Sequence, residues 1–114
     1  MAEPTIDPAT FAALQDAAGA DFVAELAATF LEEAPGMLED LRRGLADGDA
    51  DRFRRAAHSL KSNSETFGAL MLGRLARELE LAGLERARGM PAPLASLEGE
   101  YQRVAAALAG LRHA

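Results

Sequence analysis

The chain has 114 residues, a formal net charge of −6 and no cysteine. That length suits one domain around one core. The missing cysteines exclude a disulfide framework and a thiolate metal site, and the acidic balance repels phosphate backbones, which argues against general nucleic-acid binding and for a protein partner.

Alanine, leucine, glutamate and arginine dominate, with no Trp, one Tyr and few β-branched residues, so the expected class is all-α. The opening stretch MAEPTID is poor in apolar residues, and no later run approaches the roughly 18 needed to span a membrane. A soluble, cytoplasmic protein is expected. Asp7 and Pro8 then form a helix start, a capping carboxylate followed by proline at the first helical position, and Gly19 is a stop, which predicts a short helix over residues 8 to 18.

Phe22, Leu26, Phe30, Ala34, Met37, Leu41 and Leu45 recur at steps of four or three, in a phase that continues through Pro35 and Gly36. One long helix is expected, with Pro35 able to kink it. Gly48 ends it and Asp49 caps the next, whose core stripe is Phe53, Ala57, Leu60, Ser64 and Phe67 before Gly68 closes it. Leu72, Leu75, Leu79 and Ala82 mark a fourth helix ending near Gly89. The two prolines of Met90 to Pro93 predict a loop, and Leu94, Leu97, Tyr101, Val104, Leu108 and Leu111 mark a fifth helix. Short connections between amphipathic helices favour antiparallel neighbours, so the expected architecture is an antiparallel up-down four-helix bundle with an additional short N-terminal helix. It forms a single domain over residues 1 to 114, with its core from about 7 to 112.

The chemistry is concentrated on the third helix. At about 100° per residue its core stripe stays within roughly 40° of its own centre, whereas His58 lies about 140° away and points to solvent. Arg54 and Arg55 lie one turn before it, and Lys61 and Ser62 one turn after it, as neighbours on the helix surface. A free imidazole titrates near 6.5, so much of it is neutral and nucleophilic at pH 7. Nearby cations favour that neutral form and can hold an anionic product. Lys61 is the single lysine among the chain's 12 lysines and arginines, which points to a need for a compact ammonium at that position. Ser62 leaves open the in-line approach of another protein's phosphoryl group, which a bulky side chain would obstruct. Glu65 shares the face of His58 but lies two turns on, about 10 Å along the axis, too far for a direct bond and suited to partner contact. Gly68 is explained as a helix stop, and His113, next to the C-terminus, is assigned no function.

Residues 56 to 69 read AAHSLKSNSETFGA, which resembles the signature of histidine-containing phosphotransfer (HPt) domains, His-x-Leu-Lys-Gly followed by Gly-Ala, through His58, Leu60, Lys61, Gly68 and Ala69. Gly48-Asp49, Phe30 and Leu79-Glu80 also resemble the family's pattern, which extends over roughly residues 7 to 110. The resemblance implies that His58 is the phosphoacceptor through Nε2, that Lys61 stabilises the phosphate, and that Ser62 stands where the family often has glycine. It further implies a monomeric phosphocarrier without a cofactor of its own, relaying a phosphoryl group between receiver domains of response regulators and a hybrid histidine kinase.

Competing patterns fit less well. A sensor kinase's phosphoacceptor helix resembles His-Glu-Leu-Arg-Thr-Pro, but here Ser59 follows His58 and Asn63 stands at the proline position. There is no glycine-rich phosphate loop with its lysine and serine or threonine, so no nucleotide site is expected and the phosphate must come from another protein. A di-metal bundle needs Glu three residues before His, where Arg55 and Gly110 stand. The acidic pairs Glu32-Glu33 and Glu78 with Glu80 read as solvated helix faces. The alternative function is an HPt-like adaptor or inhibitor that binds a receiver or kinase without being phosphorylated; its mark would be loss of His58 or Lys61, and both are present. Docking is expected to use an apolar patch beside His58, with Arg54, Arg55, Ser62 and Glu65 contacting the partner. Ser62→Trp is therefore expected to block phosphoryl transfer while leaving helicity and melting temperature near the wild-type values; undiminished transfer would contradict this approach path.

Overall fold

The computed structural model describes residues 4–89 and 91–112. Five helices follow in order: α1 (Pro8–Ala18), α2 (Ala20–Asp47), α3 (Ala50–Phe67), α4 (Leu70–Arg88) and α5 (Pro91–Arg112). No strand occurs among the described residues. Caps fix the boundaries as the residue types suggest: Asp7 accepts from the Thr10 amide at 3.0 Å and Asp49 from the Arg52 amide at 3.0 Å, each satisfying a donor that the first turn leaves free.

α2 runs unbroken through Pro35, which sits with Gly36 on the exposed side. Its buried stripe is Val23, Ala27, Phe30, Ala34, Leu38, Leu41 and Gly44. Phe22, predicted to be in the core, is instead 51% exposed, and Leu26, Met37 and Leu45 are only partly buried. The reason is geometric: each step of four residues overshoots a full turn by about 40°, so the steps from Phe22 to Ala34 rotate it well off the stripe, whereas alternating steps of four and three hold Val23 on it.

The α3 stripe is buried as predicted, from Phe53 through Phe67, and the Ser64 hydroxyl donates to the Leu60 carbonyl at 2.6 Å. α4 departs from expectation at Gly83, where φ 76° and ψ 173° interrupt the helix. That backbone region is essentially reserved for glycine. Beyond the break Leu84 and Ala87 are buried, while Leu75 and Ala82 are only partly so. The loop predicted over Met90 to Pro93 is corrected as well, since α5 begins at Pro91; Met90 lies outside the described residues. Prolines in the first turn of a helix occupy positions whose N–H groups have no helical acceptor, so they open α5 without breaking a bond. Leu94 is only partly buried and Leu111, also predicted for the core, is 39% exposed near the end of α5.

α2 packs on α3, α4 and α5, and α4 on both α3 and α5, while α1 lies on α2 and α3. The shared core contains Leu41, Phe53, Leu60, Leu72, Leu79, Leu97, Val104 and Leu108. Phe30 joins three helices, with ring centroids 5.7 Å from Phe67 and 6.2 Å from Tyr101. Full burial of one such large side chain contributes about 1.5–3 kcal/mol, so this core, and not the polar surface, holds the site in place.

The α3–α4 turn has a second function besides ending a helix. Gly68 adopts φ 82°, the Ala69 amide returns to the Ser64 carbonyl at 2.8 Å, and the Gly68 carbonyl accepts from the Asp7 amide at 2.8 Å. A Cβ at Gly68 would lie 2.9 Å from the Thr10 Cβ and 3.1 Å from the Asp7 carbonyl, so the start of α1 rests directly on this glycine. Its role as a stop, read from the sequence, is thus joined by a packing role. Gly68→Ala is expected to lower stability by about 1–3 kcal/mol through left-handed strain and this close contact. A chemical denaturation midpoint shifted downward with unchanged slope would report it; an unchanged midpoint would contradict the packing.

Candidate functional site around His58

α3 and α4 form a helical hairpin about Gly68 and Ala69, in which Gly73 approaches Ser64 and Glu65. In this register residues equally distant from the turn face one another. His58 and Glu80 lie eleven residues on either side of Ala69 and meet across the hairpin.

The His58 side chain is 58% exposed, and its Nδ1 lies 2.9 Å from Glu80 Oε2. The other oxygen, Oε1, is 3.3 Å from Lys61 Nζ. One carboxylate therefore bridges the imidazole and the single ammonium side chain. Burial alone would raise the Glu80 carboxyl pKa, but hydrogen bonds from His58 and Lys61, together with the positive charge of Lys61, outweigh that and hold it below the usual carboxylate value. Glu80 is thus ionised at neutral pH and can only accept hydrogen bonds. The proton of neutral His58 then belongs on Nδ1, leaving the Nε2 lone pair available; Nε2 has no partner among the described residues.

The other predicted site residues are distributed around this pair. Lys61 is partly buried, its side chain 22% exposed. Arg54 and Arg55 are exposed and, with Ser59, line the hollow containing His58 and Glu80. Ser62 and Glu65 are exposed further along α3, and Ser62 has its carbonyl bonded by the Thr66 hydroxyl at 3.0 Å. The His58 hollow is lined by residues of polar type whose carbon atoms nevertheless supply most of its wall, and Leu81, which follows Glu80 in sequence, is 71% exposed. His113 lies outside the described residues.

Glu80 is the residue that helix-by-helix reading misassigns. Taken with Glu78 it looks like part of a solvated face, yet its two oxygens hold both predicted reactive side chains. The available signal was the hairpin: a turn limited to Gly68 and Ala69 fixes which residues of α3 and α4 stand opposite each other. Among the described residues no cluster of three or more His, Cys, Asp or Glu could hold a metal ion, and no helix is long and apolar enough to cross a membrane.

Comparison with known proteins bears on the family and the fold. No curated protein matches the chain significantly. Among solved structures, histidine-containing phosphotransfer protein B (HptB) from Pseudomonas aeruginosa PAO1 is similar, with a TM-score of 0.87 and 30% sequence identity over 98% of this chain and 97% of that one. The family model described as Hpt domain matches residues 25–114, which include α3 and α4 with His58, Lys61 and Glu80, and the chain therefore belongs to the Hpt domain family.

Proposed function

We propose that this chain is a phosphocarrier of a two-component phosphorelay, in which His58 accepts a phosphoryl group from the aspartyl phosphate of a receiver domain and passes it to another receiver. The observation that carries this reading is the exposed imidazole held at Nδ1 by an ionised carboxylate, with no partner on Nε2 among the described residues, in a chain of the Hpt family. In the forward step the Nε2 lone pair forms the N–P bond as the donor's acyl P–O bond breaks, and the departing electron pair restores the donor's carboxylate. The Nδ1 proton stays in place, so the phosphorylated ring is cationic and Glu80 stabilises it electrostatically. That retained charge also makes the ring a good leaving group for onward transfer.

In this reading Lys61 changes partner as the phosphoryl group arrives, turning its ammonium from Glu80 toward the new oxygens. Arg54, Arg55, Ser62 and Glu65 border the docking face. α2 to α5 form the up-down four-helix bundle that supports it, residues 1–114 act as one domain, and the carrier works as a cytoplasmic monomer without a cofactor or ATP site. The partners are receiver domains of response regulators and a hybrid histidine kinase.

Incubation with radiolabelled phospho-receiver domains tests this directly. Acid-labile, base-stable label is expected on the wild type and none on His58→Ala; receiver binding with no label on either protein would favour a non-phosphorylated adaptor. The carboxylate is tested separately. Glu80→Ala is expected to slow transfer by about tenfold, on the scale of losing one charge-stabilising contact. Glu80→Gln is expected to slow it less, because the amide oxygen still accepts from Nδ1. Equal rates in all three proteins would remove Glu80 from the chemistry.

A further inference from the structure

The cations near His58 differ in how they are engaged. Arg52 is paired with Asp40, Nη2 to Oδ1 at 2.8 Å and Nε at 2.9 Å. Arg54 faces Asp51 at 3.5 Å, and Lys61 is held by Glu80 at 3.3 Å. Among the described residues Arg55 has only a backbone partner, its Nε donating to the Asp51 carbonyl at 3.3 Å. A carbonyl cancels no charge. Among the described residues, Arg55 is therefore the cation on this face of α3 with no carboxylate at ion-pair distance.

Its position is also distinct. Two hollows flank this face: one of about 390 Å³ holds His58 and Glu80, and the other, of about 450 Å³ between α2 and α3, is lined by Met37, Asp40, Asp49 and Arg52 among others, with Asp40 engaged by Arg52 and Asp49 by the Arg52 amide. Arg55 and Ser59 line both. Helical side chains lean toward the N-terminus of their helix, and the bond to the Asp51 carbonyl, four residues back, draws the guanidinium of Arg55 away from His58. Lys61, three residues beyond His58, leans back toward it by the same rule. The two cations thus point to different places, Lys61 to the His58–Glu80 pair and Arg55 toward the start of α3.

Resting on the proposed carrier function, we infer that Arg55 is a specificity-determining residue that takes a carboxylate from the docked receiver domain, so that the receiver's footprint extends from His58 over the α2–α3 hollow. A planar guanidinium matches a carboxylate with two parallel hydrogen bonds. On a chain of net charge −6 an uncompensated arginine is also the place where an acidic rim on the partner finds attraction instead of repulsion.

The test is phosphoryl transfer from the radiolabelled receiver domains that label the wild type, measured against donor concentration at low and moderate salt. Arg55→Ala is compared with Gln102→Glu, which changes net charge equally at an exposed position of α5. Arg55→Ala is expected to raise the donor KM about tenfold with kcat nearly unchanged and to flatten the salt dependence. Arg55→Lys should fall between it and the wild type, and Gln102→Glu should stay within about twofold of the wild type. Equal effects of Arg55→Ala and Gln102→Glu, or a loss confined to kcat, would overturn the assignment while leaving the carrier function standing. No label on the wild type from any receiver would remove the carrier function, and this footprint with it.

Discussion

The carboxylate of Glu80 lies between an imidazole and an ammonium and gives one oxygen to each. Much of the site follows from that shared contact. Because an ionised carboxylate accepts and never donates, it assigns the proton of neutral His58 to Nδ1 and leaves the Nε2 lone pair available, the atom that attacks in the proposed transfer. Because it also holds Lys61, the ammonium waits beside the imidazole without a phosphate to bind. In the proposed function this arrangement would keep a nucleophile, a proton position and a counter-cation in register before a partner arrives, the preorganisation by which electrostatic stabilisation is effective.

Holding that contact requires rigidity across two helices. The turn at Gly68 and Ala69 sets the α3–α4 register, and α1 braces it through the Asp7 amide and the Gly68 carbonyl, 2.8 Å apart. Behind the reactive face, Phe53, Leu60, Leu72 and Leu79 are buried from α3 and α4. The outward face can then be polar and open, since the inward face of the same helices supplies the stability. The break at Gly83 falls one turn beyond Glu80, so the helix is regular up to the residue the site needs and changes direction only afterwards.

The site divides into a part legible in the sequence and a part that is not. His58 and Lys61 could be read from one helix, because their placement depends only on the 3.6-residue period and on a local signature. The α3 stripe was legible for the same reason, since Phe53, Ala57, Leu60, Ser64 and Phe67 stay close in phase within a helix of 18 residues. α2 extends over 28 residues, and there steps of four accumulate rotation until Phe22 turns outward. Glu80 belongs to a different level of information: its role comes from a contact between residues 22 apart in sequence, which a single helix's periodicity does not contain. Pro91 and Pro93 looked like a loop because proline disrupts helix interiors, whereas in the first turn the same ring is compatible with the helix. The uneven engagement of Arg54 and Arg55 is likewise a matter of side-chain geometry, which adjacent, identical residue types do not reveal.

The protonation state of the imidazole is the most direct measure of this account. Nitrogen-15 NMR of His58, recorded above the pH at which imidazole becomes neutral, distinguishes a protonated ring nitrogen from one with a free lone pair. A proton on Nδ1 and a bare Nε2 in the wild type, with that preference lost in Glu80→Ala, is the predicted result. A neutral ring with its proton on Nε2 would contradict the account, because the atom proposed to attack would then carry a hydrogen and the contact to Glu80 would not be the one that orients it.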